Sequence, residues 1–193
     1  MATRTTSARA FRSSRVLVAA TSLRIALAPV VMALVLSGGD TADAVAAGLF
    51  ALAAGTDFLD GYFARRWGVT SKLGSFLDTT ADKLLVTVVL LALVAVDRAS
   101  PWLAAVIVGR EITILGLRGV AASDGTVFPP SPGGKAKAAA QFIAIFLAIL
   151  RPGGKIGPAY LDQWAMLIAA VLTVVTGADY LRRYAAALRR GGG

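Results

Sequence analysis

The 193-residue chain contains no cysteine and no histidine. Disulfides, thiolate metal sites, imidazole bases and Ser-His catalytic arrangements are therefore excluded. Proton transfer or metal binding must fall to carboxylates, lysine, tyrosine or backbone groups. The absence of cysteine leaves the redox compartment open. Charge is scarce as well: Asp, Glu, Lys and Arg make up 16% of the residues, against about a quarter in ordinary soluble domains. Acids are the rarer sign, 11 against 20 basic residues, for a formal net charge of +9, and none precedes Asp40. Apolar residues, by contrast, reach 56%, and the mean hydropathy is +0.70. A chain of this kind buries itself mainly in lipid. Its positive balance then reads as basic cytoplasmic loops facing anionic head groups, not as a nucleic-acid surface.

Residues 1–15 are polar and carry Arg4, Arg9, Arg12 and Arg15. A secretory signal would end its apolar run after about 7–15 residues at a small-residue cleavage site. Here the run continues over 16–36, so a basic N-terminal segment leading into a first transmembrane helix is the better reading, with an organellar transit peptide as the alternative. Six apolar segments follow, at 16–37, 42–66, 78–97, 101–121, 136–151 and 160–187. A helix needs about 20 residues to cross the hydrocarbon, which most segments meet. The expected fold is all-α: a polytopic integral membrane protein with six transmembrane helices in one domain at 16–187, followed by a tail at 188–193. Breaks fall at Ser37-Gly38-Gly39, Ser100-Pro101, the proline-rich run at 129–134 and Pro152-Gly153-Gly154. Alternate loops differ in charge. One side receives the N-terminal arginines, Arg65, Arg66, Lys72, Arg118, Lys135, Lys137, Arg182, Arg183, Arg189 and Arg190, whereas the other holds Arg98, Arg151 and Lys155. The positive-inside rule then puts both termini in the cytoplasm.

The informative residues are those that violate the apolar pattern. A charge in a spanning segment is costly and by default faces the bundle interior or a water-filled cavity. Asp57 and Asp60 are three apart near the end of the second segment, and Asp78 and Asp82 are four apart at the start of the third. Each spacing places a pair on one helical face. A short connection would make the two helices antiparallel neighbours, so that the pairs face each other. Carboxylates gathered in this way must protonate, pair with cations or bind metal. Arg65 and Lys83 cannot neutralise them all. Hard oxygen donors suit Mg²⁺ or Mn²⁺, and two such ions could share the site. The plainer reading is a buried ion-pair network tying the two helices together. Gly61, Ala64 and Gly74 permit close approach by a ligand or simply by another helix. Arg65 offers a phosphate-matching fork or a cytoplasmic anchor.

Together these residues read Asp57-x2-Asp60-Gly61-x2-Ala64-Arg65-x8-Gly74-x3-Asp78-x3-Asp82, which resembles the signature of the CDP-alcohol phosphotransferases at every fixed position and spacing. The flanks Gly109-Arg110-Glu111-Ile112, Leu117-Arg118, Gly134-Lys135-x-Lys137-x3-Gln141, Ala81-Asp82-Lys83-Leu84-Leu85 and Gly177-x-Asp179-Tyr180 are similar to the phosphatidylglycerophosphate synthase branch of that family. The first helix keeps Thr21 and Arg24 of the usual opening motif but has Leu17, Val18 and Ala20 where Pro, Asn and Leu are common. Ala138 and Thr79 stand where Thr and Pro are frequent.

The resemblance implies a six-helix membrane enzyme, usually a homodimer, that transfers a phosphatidyl group from CDP-diacylglycerol to an alcohol with release of CMP. For that branch the alcohol is sn-glycerol 3-phosphate; phosphatidylglycerol and inositol phosphate are the alternatives within the class. It assigns Asp57, Asp60 and Asp78 as metal ligands. Asp82 becomes the general base, with a further ligand role left open. The CDP moiety is expected against Gly61, Ala64, Arg65 and Gly74, and the acceptor phosphate against Arg110, Arg118, Lys135 and Lys137. Lys135 and Lys137 could equally set topology or meet lipid head groups, and Arg110 could form a buried ion pair with Glu111. Arg24 and Tyr180 are weaker candidates. A bacterial cytoplasmic membrane is the expected location, with the active site on the cytoplasmic side. From a different class, paired intramembrane acids also mark metal-ion transporters. Such proteins favour acids at the bilayer midplane and related broken halves, neither of which this sequence displays.

Overall fold

The computed structural model describes residues 21–67, 72–123 and 132–191; the side chains at 57–67, 72–78, 132, 188, 190 and 191 lie outside that description. The described chain forms helices α1 (Thr21–Ser37), α2 (Asp40–Trp67), α3 (Lys72–Ala95), α4 (Pro101–Ser123), α5 (Pro132–Leu150) and α6 (Leu161–Gly191), with a two-stranded hairpin, β1 (Lys155–Ile156) and β2 (Ala159–Tyr160), between the last two. The all-α expectation holds. By length and apolar character, the stretches Gly133–Leu150 and Leu161–Ala187 are each sufficient to cross a membrane.

Helix limits differ from the hydropathy segments where polar residues are nonetheless helical. α3 starts at Lys72, ahead of the apolar run, and so carries Asp78 within the helix. α5 starts at Pro132, because proline at a first helical position supplies its fixed φ without losing a needed N–H. α6 continues to Gly191, so most of the expected tail is helix. At about 1.5 Å per residue its 31 residues run about 46 Å, well beyond the roughly 30 Å of hydrocarbon.

The molecule divides into two compact units, residues Met1–Leu93 and Val94–Gly193. In the first, α1 turns into α2 through Gly38 and Gly39, whose φ angles of 68° and 99° suit glycine and strain other L-residues. Thr21, Arg24, Ala28, Val31 and Val35 are buried along α1, alternately three and four apart, which is one continuous helical stripe. Asp43, Ala46, Ala47, Phe50 and Ala53 form the matching stripe on α2. Arg24 Nε donates to the Ala53 carbonyl at 3.3 Å. The two residues lie nearly equidistant from the glycine turn, so α1 and α2 form an antiparallel hairpin. Ala81, Leu85, Val86, Val89, Leu90, Ala92 and Leu93 are buried on α3.

In the second unit, α4 and α5 both pack along α6. α4 buries Ala104, Ile107, Glu111, Ile114 and Ala121, again at spacings of three, four and seven. Arg98 Nη1 donates to the Ile149 carbonyl at 2.9 Å and ties the start of this unit to the end of α5. Arg151 closes α5 in a left-handed conformation (φ 45°), its N–H reaching the Leu147 carbonyl at 2.8 Å. The hairpin pairs Lys155 with Tyr160 and Ile156 with Ala159. Its two-residue loop is Gly157-Pro158, with Gly157 at φ 65°, the sign that a type II′ turn requires at its first central residue.

Candidate active site

The acidic signature lies in the first unit. Asp57 and Asp60 fall within α2, and Asp78 and Asp82 within α3, so the backbone spacing of each pair is helical, as the sequence requires. The side chains of Asp57, Asp60, Gly61, Ala64, Arg65, Gly74 and Asp78 lie outside the described residues. Asp82 is described: it is partly buried, and Lys83 Nζ meets its Oδ2 at 2.6 Å. Among the described residues no group of three or more metal-type ligands stands together. The donor set of the signature, four carboxylates at helical spacing, is one that Mg²⁺ or Mn²⁺ accepts and softer ions do not prefer. Arg24, with the Ala53 carbonyl as partner, is 1% exposed. Thr56 Oγ1 donates to the same carbonyl at 2.8 Å, one helical turn before Asp57.

A second polar group lies in the other unit, inside the packed stripe of three helices. Glu111 on α4 is 4% exposed, Lys137 on α5 2%, Gln141 on α5 3% and Thr173 on α6 0%. The Lys137 ammonium forms a short ion pair with Glu111 Oε1. The same oxygen is approached by Arg110 Nη1 at 3.3 Å and Gln141 Nε2 at 3.4 Å. Gln141 Nε2 also donates to Thr173 Oγ1 at 2.9 Å, while Thr173 donates to the Ala169 carbonyl at 2.6 Å. Arg110 Nη2 reaches Thr176 Oγ1 at 3.4 Å. Carboxylate, ammonium, guanidinium, carboxamide and hydroxyl thus meet where α4, α5 and α6 converge. Buried charges persist when they are paired and hydrogen-bonded in this manner.

Two glycines make that convergence possible. A Cβ at Gly177 would lie 3.1 Å from Arg110 Cγ and 3.5 Å from its Nε, and one at Gly133 would lie 3.3 Å from Thr176 Cγ2. Both spots therefore favour a residue without a side chain. Arg110 Nε is buried and has no hydrogen-bond partner among the described residues. Beside it, a groove of about 290 Å³ runs between α4 and α6, lined by Arg110, Thr113, Ile114, Val174, Gly177 and Leu181.

Of the four cations expected at an acceptor phosphate, the structure brings Arg110 and Lys137 together on one carboxylate oxygen. The Arg110–Glu111 contact forms even though adjacent helical positions diverge, because the arginine stem is long enough to turn back. Arg118 does not join them: its guanidinium lies 5.5 Å from the Tyr180 ring centre, further along α4 and α6. Lys135 is exposed, two residues from Lys137 and hence on another helical face. The sequence reading missed Thr173 and Thr176. Their signal was available as a hydroxyl pair next to Gly177, interrupting an apolar run. It was weak because Ser and Thr commonly bond back to their own helix.

The architecture is helical, two of its helices are long and apolar enough to cross a membrane, and polar chemistry is set into them. The sequence of residues 18–175 matches the family model of the CDP-alcohol phosphatidyltransferases. Similar proteins include the CDP-diacylglycerol--glycerol-3-phosphate 3-phosphatidyltransferases of Bacillus subtilis (strain 168), 38% identical over 88% of this chain and 94% of the relative, and of Pseudomonas fluorescens, 38% identical over 84% and 86%. The protein of the same name from Rickettsia typhi (strain ATCC VR-144 / Wilmington) is 36% identical over 84% of this chain and 92% of its own length. The chain belongs to the CDP-alcohol phosphatidyltransferase family.

Proposed function

We propose that this enzyme transfers the phosphatidyl group of CDP-diacylglycerol to sn-glycerol 3-phosphate, giving phosphatidylglycerophosphate and CMP. The observation that carries the reading is the family match over 18–175, joined to relatives named for this reaction that align over most of their length. The donor presents a pyrophosphate, and the acceptor presents a hydroxyl and a phosphate monoester. The chain offers four aspartates for the first and a cation pair, part-buried Arg110 and buried Lys137, for the second.

Asp57, Asp60 and Asp78 hold divalent metal, two ions of Mg²⁺ or Mn²⁺, with Asp82 as a further ligand. Bound there, the ions would supply charge neutralisation across the pyrophosphate and the leaving CMP. Gly61, Ala64, Arg65 and Gly74 line the CDP moiety. Asp82 takes the proton of the acceptor hydroxyl as its oxygen attacks the phosphatidyl phosphorus in line. The bond from that phosphorus to the CMP oxygen breaks, and CMP leaves with the electron pair. Lys83, 2.6 Å from Asp82 Oδ2, fixes the direction of that carboxylate. Arg110 and Lys137, with Arg118 and Lys135 nearer the solvent, receive the acceptor phosphate. Six membrane crossings, cytoplasmic termini, a cytoplasmic active site in a bacterial cytoplasmic membrane and a homodimer complete the reading, in keeping with the charge asymmetry of the loops and the family resemblance.

CMP release from CDP-diacylglycerol tests the scheme. Wild-type enzyme requires both added Mg²⁺ or Mn²⁺ and glycerol 3-phosphate. Asp82→Asn lowers turnover by about 10²-fold or more, the usual worth of a positioned base, while the protein still inserts. Turnover near wild type in that variant rejects the role of Asp82. A panel of phosphorylated and unphosphorylated alcohols in which glycerol 3-phosphate alone fails rejects the acceptor.

A further inference from the structure

Glu111 plays no part in the scheme above, yet it is the acid on which both cations converge. Its Oε1 gathers donors from its own helix and from α5: the Lys137 ammonium, Arg110 Nη1 and Gln141 Nε2. Gln141 is in turn braced by Thr173 of α6. Two features separate this group from a saturated structural ion pair. First, the Arg110 contacts are long, 3.3 and 3.4 Å, and its buried Nε has no hydrogen-bond partner among the described residues, so its fork retains donor capacity. Second, replacing a buried ion pair by apolar side chains of similar volume is often neutral or stabilising, so helix packing alone does not call for a carboxylate here.

We propose that Glu111 is a positioning residue for the acceptor phosphate, holding the Lys137 ammonium and the Arg110 guanidinium in the geometry that receives it without itself touching substrate. This rests on the phosphate-acceptor reading above. Lysine carries a point charge on a flexible four-carbon stem, and ordering that stem only when ligand arrives weakens binding. Glu111 orders it beforehand. Its effect therefore falls on capture of the phosphorylated acceptor and not on the donor lipid or on the proton transfer at Asp82.

Steady-state kinetics in lipid–detergent micelles tests this with Glu111→Gln, Glu111→Asp and the double variant Glu111→Gln/Lys137→Met. For Glu111→Gln, KM for glycerol 3-phosphate rises about tenfold or more, while kcat and KM for CDP-diacylglycerol stay within about threefold of wild type. Glu111→Asp, which keeps the charge, recovers most of the loss. The single variant leaves an ammonium buried without its carboxylate and can fail to fold. The double variant removes both charges, stays folded, and retains the high acceptor KM. A folded Glu111→Gln enzyme with unchanged acceptor KM overturns the inference and leaves the acceptor reading standing. A double variant whose acceptor KM returns to wild type overturns the inference together with the role of Lys137 at the acceptor phosphate, since the pair would then be only structural. If the acceptor panel shows a different phosphorylated alcohol as substrate, the same KM split is read with that alcohol. An enzyme that turns over only unphosphorylated alcohols overturns both readings.

Discussion

Gly177 lies where α6 passes the stem of Arg110, and the crowding is at Cγ, close to the root of the side chain, where little can give. In Gly177→Ala two effects oppose each other. Alanine gains about 1 kcal/mol of helix propensity over glycine, and overpacking costs about 1–3 kcal/mol. The thermal midpoint in detergent should therefore move by only a few degrees. The geometry of Arg110 moves more, because the nearest relief is a rotation of its stem away from α6. The expected outcome is a rise of about fivefold in KM for glycerol 3-phosphate, a size consistent with sub-ångström misplacement of a binding group. An unchanged KM would show that the placement of Arg110 is immaterial to acceptor binding. Glu111 and Gly177 thus both act on Arg110, one by attracting its guanidinium and one by leaving room for its stem.

At the level of elements, the hairpin between α5 and α6 is the part that hydropathy did not disclose. Four paired residues are too few for an alternating pattern to stand out, and Pro152-Gly153-Gly154 read only as a break. The turn chemistry was nevertheless present in Gly157-Pro158, since glycine tolerates φ 65° and proline pre-sets the next φ. Gly157→Val should cost about 1–2 kcal/mol, the penalty of a left-handed conformation in a residue with a Cβ. The Trp164 Nε1 bond to the Ile156 carbonyl, 2.9 Å, should loosen with it. Thermal unfolding followed by tryptophan fluorescence checks both, with kcat expected to hold. The six helices were legible because each combines a long apolar run with Gly or Pro breaks. Their starts were less so: the polar first turns of α3 and α5 fall outside the apolar segments at 78–97 and 136–151. The aspartate signature was legible from spacing alone, whereas the Glu111 network was not. Its members are 26, 30 and more residues apart, and only packing of α4, α5 and α6 reveals which polar residues share a stripe. Adjacent helical positions also argue against an Arg110–Glu111 contact, an argument that holds for Cβ vectors and fails for a long flexible stem.

For the whole molecule, the proposed orientation has a direct handle in the same absence that opens the sequence: a chain without cysteine takes single thiols with no background. α6 is the helix to use. Its start adjoins the hairpin carrying Lys155, and its end carries Arg182, Arg183 and Arg189, all exposed. With about 46 Å between its ends, it outruns a hydrocarbon layer of roughly 30 Å. The Glu111 network meets it at Thr173 and Thr176, about 18–23 Å from its start and so close to the middle of the helix. Lys155→Cys and Ala186→Cys place thiols at exposed positions on the two ends. If the basic end faces the cytoplasm, a membrane-impermeant maleimide labels Lys155→Cys in intact cells and Ala186→Cys only after permeabilisation. The reverse pattern would invert the topology and put the basic end of α6 on the outside. Labelling of both from one side would show that α6 does not cross. The expected pattern sets the basic end of α6 in the cytoplasm, the side from which a phosphorylated alcohol arrives in water, while the acyl chains of the donor remain in lipid.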